Sequence, residues 1–296
     1  MLGFRPKGKT KGHRPNYGHH RIREFPQEKD KSVRQTRFEN HTLAEFIENL
    51  RRRSASGAWQ ELLERYDAPR SFPDLANFRL GPNPFGLTAL DWIVFRKEGG
   101  RASSLVAHGI TTRIRWSGES TDLPRGWTGA VRQSYENSVL GDESPNTLIG
   151  LFIFAETAFR EHGWAAEVAE AMKELAREEG MHSLIIPLRL PTRYEWQNAR
   201  LPYAEFALRK RDDGEFADHW LRMHTRLGAR VIGTCDVSHQ HAFHSDDLPL
   251  LFECDPIERT GSYIVRSHGE HYAAYVDLER ECAVINEGCV WVRYHL

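Results

Sequence analysis

The stretch "NTLIGLFIFAETAFREHGWAAEVAEAMKELAREEGMHSLIIPL", Asn146 to Leu188, decides the fold. It opens on a nearly continuous apolar run, "NTLIGLFIFAE", the pattern of a central strand buried on both faces. A turn and an amphipathic helix follow, then a second buried strand, "HSLIIPLRL", closed by Pro191. Strand, helix and strand in that order make a βαβ unit with a right-handed crossover. The turn itself reads Arg160-Glu161-His162-Gly163-Trp164-Ala165, an R-x-x-G-x-A pattern. Free N–H groups and the positive end of the helix dipole at such a turn can hold a pyrophosphate. The same residues can also be no more than a helix beginning at a glycine.

Outward from this unit, composition narrows the class. With 296 residues and 40% hydrophobic content the chain can bury a sizeable core. Its apolar runs fall short of the roughly 20 residues of a membrane span, and no apolar segment follows the basic start, so a cytoplasmic protein without a membrane partner is expected. Cys235, Cys254, Cys282 and Cys289 are scattered without a C-x-x-C pair, which favours reduced thiols. The net charge of −1 conceals an asymmetry. Arg5, Lys7, Lys9, Lys11, Arg14, Arg21 and Arg23 precede any acid, leaving eight excess negative charges on the remainder. A basic arm on an acidic body suits a polyanion such as tRNA through counterion release, and equally suits a solvated terminus.

The rest of the chain reads as an α/β domain. "TLAEFIENLRRRSASGAWQELLERYDAP" has helical spacing broken at "SASG" and predicts two short helices. "LDWIVFRK" and "SSLVAHGITTRIRW" predict a hairpin. "LPRGWTGAVRQSYENSVLG" reads as a helix opened near Pro124, and "LPYAEFALRKRDDG" and "DHWLRMHTRLGA" as helices, the latter ended by Gly228. "RVIGTCDV" and the tail from "GSYIVRS" to "VWVRYHL" alternate as strands do. The expected layout is a basic flexible arm over 1–40, a mostly helical extension over 41–76 and one α/β domain over 77–296.

These motifs together resemble the GNAT acyltransferase superfamily, whose members use a strand, an R-x-x-G-x-G/A turn and a helix to hold the pyrophosphate of an acyl-CoA. "IIPLRLPT", "DHWLRMHTRLGA" and "EGCVWVRYHL" are similar to one subgroup, the GNAT-like domains of polyketide loading modules and stand-alone actinobacterial homologues. The resemblance covers roughly residues 123–296. It implies a GNAT fold, a mixed twisted sheet flanked by helices, and amide formation in specialised metabolism. The donor it implies is an acyl-CoA or a phosphopantetheine thioester on an acyl carrier protein, the acceptor a small-molecule amine, with no tightly bound cofactor. Phe154, Ala155, Arg160, His162, Gly163, Trp164 and Ala165 match the donor-binding strand end and turn. Thr192 and His224 match the subgroup's threonine and histidine at the acyl group, His224 as base or orienter. A histidine of ordinary pKa can accept a proton at neutral pH, and Glu156 at the strand end is a second candidate base. Trp116, Tyr194, Trp196 and Trp220 are candidate walls of the acceptor pocket.

The turn departs from its pattern. Glu161 replaces a glycine and would repel a pyrophosphate, His162 replaces a basic residue, and Trp164 a small aliphatic. A donor with fewer phosphates, or an acyl-tRNA met by the basic arm, fits such a turn. A non-catalytic carrier- or RNA-binding protein on the same fold is the reading from another class. Cys235, His239, His241 and His244 cluster in sequence, but their spacing fits no common zinc pattern, and no metal is expected.

Overall fold

The computed structural model describes residues 33–41, 90–97, 104–140, 144–155, 163–267 and 269–296. The apolar run at the centre of the chain becomes strand β4, Thr147–Ala155, and its partner across the crossover becomes β5, Ser183–Leu188. The helix between them, α2, spans Trp164–Glu178. It buries Ala166, Val168, Ala169, Ala171, Met172, Leu175 and Ala176, the i, i+3, i+4 stripe expected of a helix lying on a sheet. Gly163 caps its start with φ 73°, a left-handed conformation that favours glycine, and Gly180 ends it with φ 66°. Burying each large apolar side chain of this stripe is worth about 1.5–3 kcal/mol.

The remaining strands are β1 (Val33–His41), β2 (Leu90–Lys97), β3 (Ser104–Ile114), β6 (Arg230–His244), β7 (Gly261–Ser267), β8 (Glu270–Asp277) and β9 (Cys282–His295). They form one sheet in the order β1-β2-β3-β4-β5-β9-β8-β7, with β6 on the other edge of β9. Every pairing is antiparallel except β4 with β5. This is a mixed sheet with one parallel pair, as the resemblance implies. The helices are α1 (Gly126–Leu140), α2, α3 (Tyr203–Ala207), α4 (His219–Arg226) and α5 (Leu248–Leu251).

The two faces of the sheet are covered by different helices. Leu184, Ile186, Val290, Val292 and Tyr294 pack with α2, α3 and α4 in one core. Their neighbours Ile185, Trp291 and Cys289 point the other way, as alternation along a strand requires. That second face carries α1, which is pinned at its second residue. The Trp127 main-chain N–H donates to Ser238 Oγ on β6 at 2.8 Å, and the Trp127 indole N–H donates to the Leu151 carbonyl on β4 at 3.0 Å. Leu151 is an extra residue in β4, because Ile110 pairs with Phe152 and Thr111 with Gly150.

Three expectations change. Val33–His41 overlaps the end of the stretch assigned to the arm, yet it is a strand paired with β2. "LPYAEFALRKRDDG" is helical only over Tyr203–Ala207. Its second half turns back at Gly214, φ 79°, so that Lys210 bridges to Phe216. The strand after Gly228 runs on to His244 with two register shifts. The two short helices expected between 43 and 69, and the basic residues of the arm, lie outside the described residues.

Gly109 gives a direct check on the α2 face, since a Cβ there would lie 2.5 Å from both Met172 Cε and Val168 Cγ1. Gly109→Ala should lower stability by about 1–3 kcal/mol through overpacking, read as a fall in the denaturant midpoint at unchanged slope.

Candidate active site

The site is made by two strands that stop pairing. β4 and β5 share three register pairs, Thr147 with Ser183, Leu148 with Leu184 and Ile149 with Ile185. Beyond them β4 continues to Ala155 along β3, and β5 continues to Leu188 along β9. A wedge opens between the two at the Gly150 level, where a Cβ would already meet Ile186 Cγ1 and Met172 Sδ at 3.0 Å. Phe154 and Ala155 lie on β4 beyond its last pair with β5. On the α1 face a shelf of rings flanks it. Phe152 and Phe154 stack at 6.4 Å, and His108 lies 5.6 and 5.2 Å from them.

Gly163, Trp164 and Ala165 open α2 behind the wedge. Trp164 is partly buried with its ring 5.6 Å from Phe95, so it anchors the helix start to β2. Glu156, Arg160, Glu161 and His162 lie outside the described residues.

Thr192 and His224 are joined through a residue the sequence reading did not single out. Asp218 is buried at 3% exposure and caps α4, its Oδ1 accepting from Trp220 N at 2.8 Å and Leu221 N at 3.1 Å. Its other oxygen accepts the Thr192 hydroxyl at 2.5 Å. Asn198 Nδ2 donates to the Thr192 carbonyl at 2.7 Å and fixes the segment after β5. Thr192 therefore sits beyond the open end of β5, held to the first residue of the helix that carries His224. An aspartate directly before an apolar-periodic segment is a capping signal, so Asp218 could have been found from sequence.

His224 lies six residues further on, roughly 9 Å along the helix at 1.5 Å per residue. It is fully buried between Trp220 and Tyr294, with Nδ1 and the Tyr294 hydroxyl 2.6 Å apart. Tyr294 pairs in register with Leu184, which places the histidine under the closed part of the wedge. Its Nε2 has no hydrogen-bond partner among the described residues. Burial pushes its pKa down to about 3, so the imidazole is neutral in the folded protein. This changes the expected role: an ordinary pKa near neutrality does not apply to His224.

The candidate walls divide. Trp220 stacks on His224 at 6.0 Å. Tyr194 is buried under Arg189, whose guanidinium lies 3.7 Å from the ring centre. Trp196 is 59% exposed and meets His271 at 5.5 Å. Trp116 is buried at 2% exposure, donates to the Glu119 carbonyl at 3.0 Å and lies under Arg293 on the α1 face. A charged group missed in the sequence surrounds Arg189, which donates to Glu287 at 3.1 Å and Glu270 at 2.9 Å. Burial raises the Glu287 pKa, but hydrogen bonding to His241 and the Arg189 charge prevail and hold it down to about 2.

His239 and His241 meet at 4.2 Å on β6, His239 against Thr128 and His241 beside Glu287, while His244 lies near Asp246 and Glu281. Among the described residues no group of three or more His, Cys, Asp or Glu is placed to share a metal ion. No helix among them is long and apolar enough to cross a membrane.

No protein-family model matches the chain. An arginine N-acetyltransferase of Aspergillus versicolor is 30% identical over 142 residues, covering 45% of this chain and 48% of that protein. The chain thus spans about half the length of the curated relative it matches. Among solved structures, the loading GNATL domain of CurA from Lyngbya majuscula is 14% identical, covering 88% of this chain and 98% of the other, with a TM-score of 0.44. The GphF GNAT-like decarboxylase in complex with isobutyryl-CoA is 16% identical over 77% and 82% of the two chains, with a TM-score of 0.39. An IAA acetyltransferase from Bacillus cereus is 10% identical over 90% and 100%, with a TM-score of 0.37.

His224 makes stability depend on pH with a definite sign, and His108, also buried with its pKa pushed down to about 3, adds to it. Between pH 3 and the unfolded value near 6.5 the unfolded chain binds protons that the folded chain refuses. Stability is therefore full above about pH 6.5 and falls as pH drops toward 3. Each histidine should contribute a slope of up to about 1.4 kcal/mol per pH unit. Urea midpoints measured from pH 7 to pH 4.5 should fall accordingly, and less steeply in His224→Gln.

Proposed function

We infer that this chain, folded as GNAT acyltransferases are, moves an acyl group from a thioester to a small-molecule amine and forms an amide. The observation carrying this reading is the parting of β4 and β5 after Ile149 and Ile185. An extended thioester arm can lie in such a wedge as a further strand would, hydrogen-bonding to main chain at the β4 edge. The amine then adds to the thioester carbonyl from the α1 face, beside the His108, Phe152 and Phe154 rings. The carbon–nitrogen bond forms, the carbon–sulfur bond breaks, and the thiol leaves with a proton from the former ammonium. Fixed geometry and dipoles aimed at the carbonyl oxygen account for most of the acceleration that such a site can give.

Donor contacts are assigned to Phe154, Ala155, Gly163, Trp164 and Ala165 of the described residues, and to Arg160 and His162 in the turn before them. Thr192 is placed at the acyl end. Its bond to Asp218 fixes it and α4 together. A neutral, buried His224 serves as the orienter of α4 against Tyr294. Glu156 remains the candidate base. Tyr194 and Trp196 are assigned to the acceptor side and Trp220 to the support of His224 on the opposite face, and a role in specialised metabolism accords with the resemblance of the C-terminal motifs. Acyl-CoA is the donor assigned first, with a carrier-protein thioester sharing the same arm. Acyl-tRNA, met by the basic residues from Arg5 to Arg23, is the competing donor.

The test offers purified protein acyl-CoAs of increasing chain length, a carrier-protein thioester and charged tRNA. The amine panel includes arginine, the acceptor named for the fungal relative. Amide product by mass spectrometry and released thiol should appear together with a thioester donor. They should be indifferent to ribonuclease and to deletion of residues 1–23. Transfer that needs charged tRNA, and collapses with ribonuclease or raised salt, would replace the thioester reading. Saturable donor binding with no product from any donor would make the chain a binding protein. His224→Ala should lower kcat by about 10²-fold, the cost of a misplacement near 1 Å, while the donor Kd changes far less. Unchanged kcat would remove His224 from the mechanism.

A further inference from the structure

Cys235 and Cys289 are 54 residues apart in sequence and face each other directly, as a register pair of the antiparallel β6–β9 ladder. Residues opposed in such a ladder have Cα atoms about 4.5–5.5 Å apart, inside the roughly 4.4–6.8 Å that a disulfide spans. The register thus puts this pair at a Cα spacing compatible with a disulfide. Their thiols already hydrogen-bond to each other. The pair is unequal. Cys289 is buried and also hydrogen-bonds with Ser238, the residue that receives the Trp127 N–H. Cys235 is half-buried, its sulfur accepts from the Val237 main-chain N–H, and the Arg125 charge lies near it.

The geometry points to Cys235 and Cys289 as a cross-strand redox dithiol, with Cys235 as the sulfur that attacks a peroxide or disulfide oxidant and Cys289 as the sulfur that resolves it. The chemistry balances with hydrogen peroxide. The Cys235 thiolate takes one oxygen, giving a sulfenic acid and releasing hydroxide, which is protonated to water. Cys289 sulfur then attacks Cys235 sulfur, and the sulfenic oxygen leaves as a second water. Two electrons pass from the two thiols to the peroxide, and dithiothreitol reverses the bond. The Cys289 partner lowers the Cys235 pKa first, against burial, and the Val237 N–H and the Arg125 charge lower it further. The same partnership, and then burial, hold the Cys289 pKa up, so Cys235 is the more readily ionised of the two. Cys254, also half-buried, has its thiol pushed up by burial and Asp255, and serves with Cys282 as an internal control.

The experiment treats the full chain, folded and reduced, with a small molar excess of hydrogen peroxide and then counts thiols after denaturation. The count should fall from four to two. Peptide mapping should find one link, Cys235 to Cys289, and dithiothreitol should restore four thiols. Cys289→Ser should stop at a sulfenic acid on Cys235 that dimedone traps. Cys235→Ser should lose at least ten-fold in the rate of peroxide-dependent thiol loss. The unfolding midpoint of each variant confirms that it is folded before it is used. Oxidation of Cys254 or Cys282 ahead of this pair, or a Cys235→Ser variant that reacts as fast as the parent, would overturn the assignment.

Discussion

Two parallel strands that pair for three residues and then separate leave main-chain groups in need of partners, and most of this fold follows from how that need is met. A buried N–H or C=O without a partner costs about as much as a lost hydrogen bond. β9 holds β5 along its other edge, from Ser183 to Leu188, so the groups of β5 that β4 no longer meets face the open wedge. On the β4 side one such group belongs to a residue out of register. Leu151 is the extra residue of the bulge, and the Trp127 indole N–H satisfies its carbonyl. That bond ties the first turn of α1 to the mouth of the wedge. The same tryptophan's main-chain N–H reaches Ser238 across the sheet. Gly126 makes the fit possible, since φ is 62° there and a Cβ would fall 2.2 Å from the Ser238 Cα.

The α2 face uses buried polar groups differently. Asp218 has both carboxylate oxygens engaged, one on the N–H groups that open α4 and one on Thr192. An N-cap is worth about 1 kcal/mol, and here it also sets where the segment after β5 lies. His224 ends the same helix, satisfied at Nδ1 by Tyr294 and at Nε2 by nothing among the described residues. A buried N–H or lone pair left in this way is expensive in an empty fold. A ligand atom that reached it would recover that cost.

The β4–α2–β5 unit was legible because three independent signals agreed over 43 residues: an unbroken apolar run, a helical stripe and a second run closed by proline. The hairpin of β2 and β3 and the helix stop at Gly228 were legible for the same reason, a pattern with punctuation. What escaped has a common cause. The bulge at Leu151, the bond from Thr192 to Asp218, the Arg189 cluster and the Cys235–Cys289 pair depend on how segments far apart in sequence are aligned, and a single segment's pattern does not reveal its partner's offset. The resemblance points to His224, but the burial that keeps it neutral is a tertiary property with no local signature. The helix expected through "RKRDDG" gives way locally, because Asp212, Asp213 and Gly214 are turn residues.

The two faces of β9 show why register matters beyond packing. Alternate residues of one strand send Val290, Val292 and Tyr294 into the α2 core and Cys289, Trp291 and Arg293 toward α1. A one-residue slip of β9 would exchange these sets. Tyr294 would leave His224, and Cys289 would leave Cys235. The register is held by β5 along one half of β9, by β8 along the other and by β6 along the opposite edge. Gly288, where the strand passes Tyr203, allows no side chain at all, because a Cβ would lie 2.5 Å from the ring. The glycine next to Cys289 therefore acts as a register mark. It lets Tyr203 close over the strand in one alignment and excludes its neighbours from that position. The histidine on one face and the thiol pair on the other are placed by the same backbone constraint.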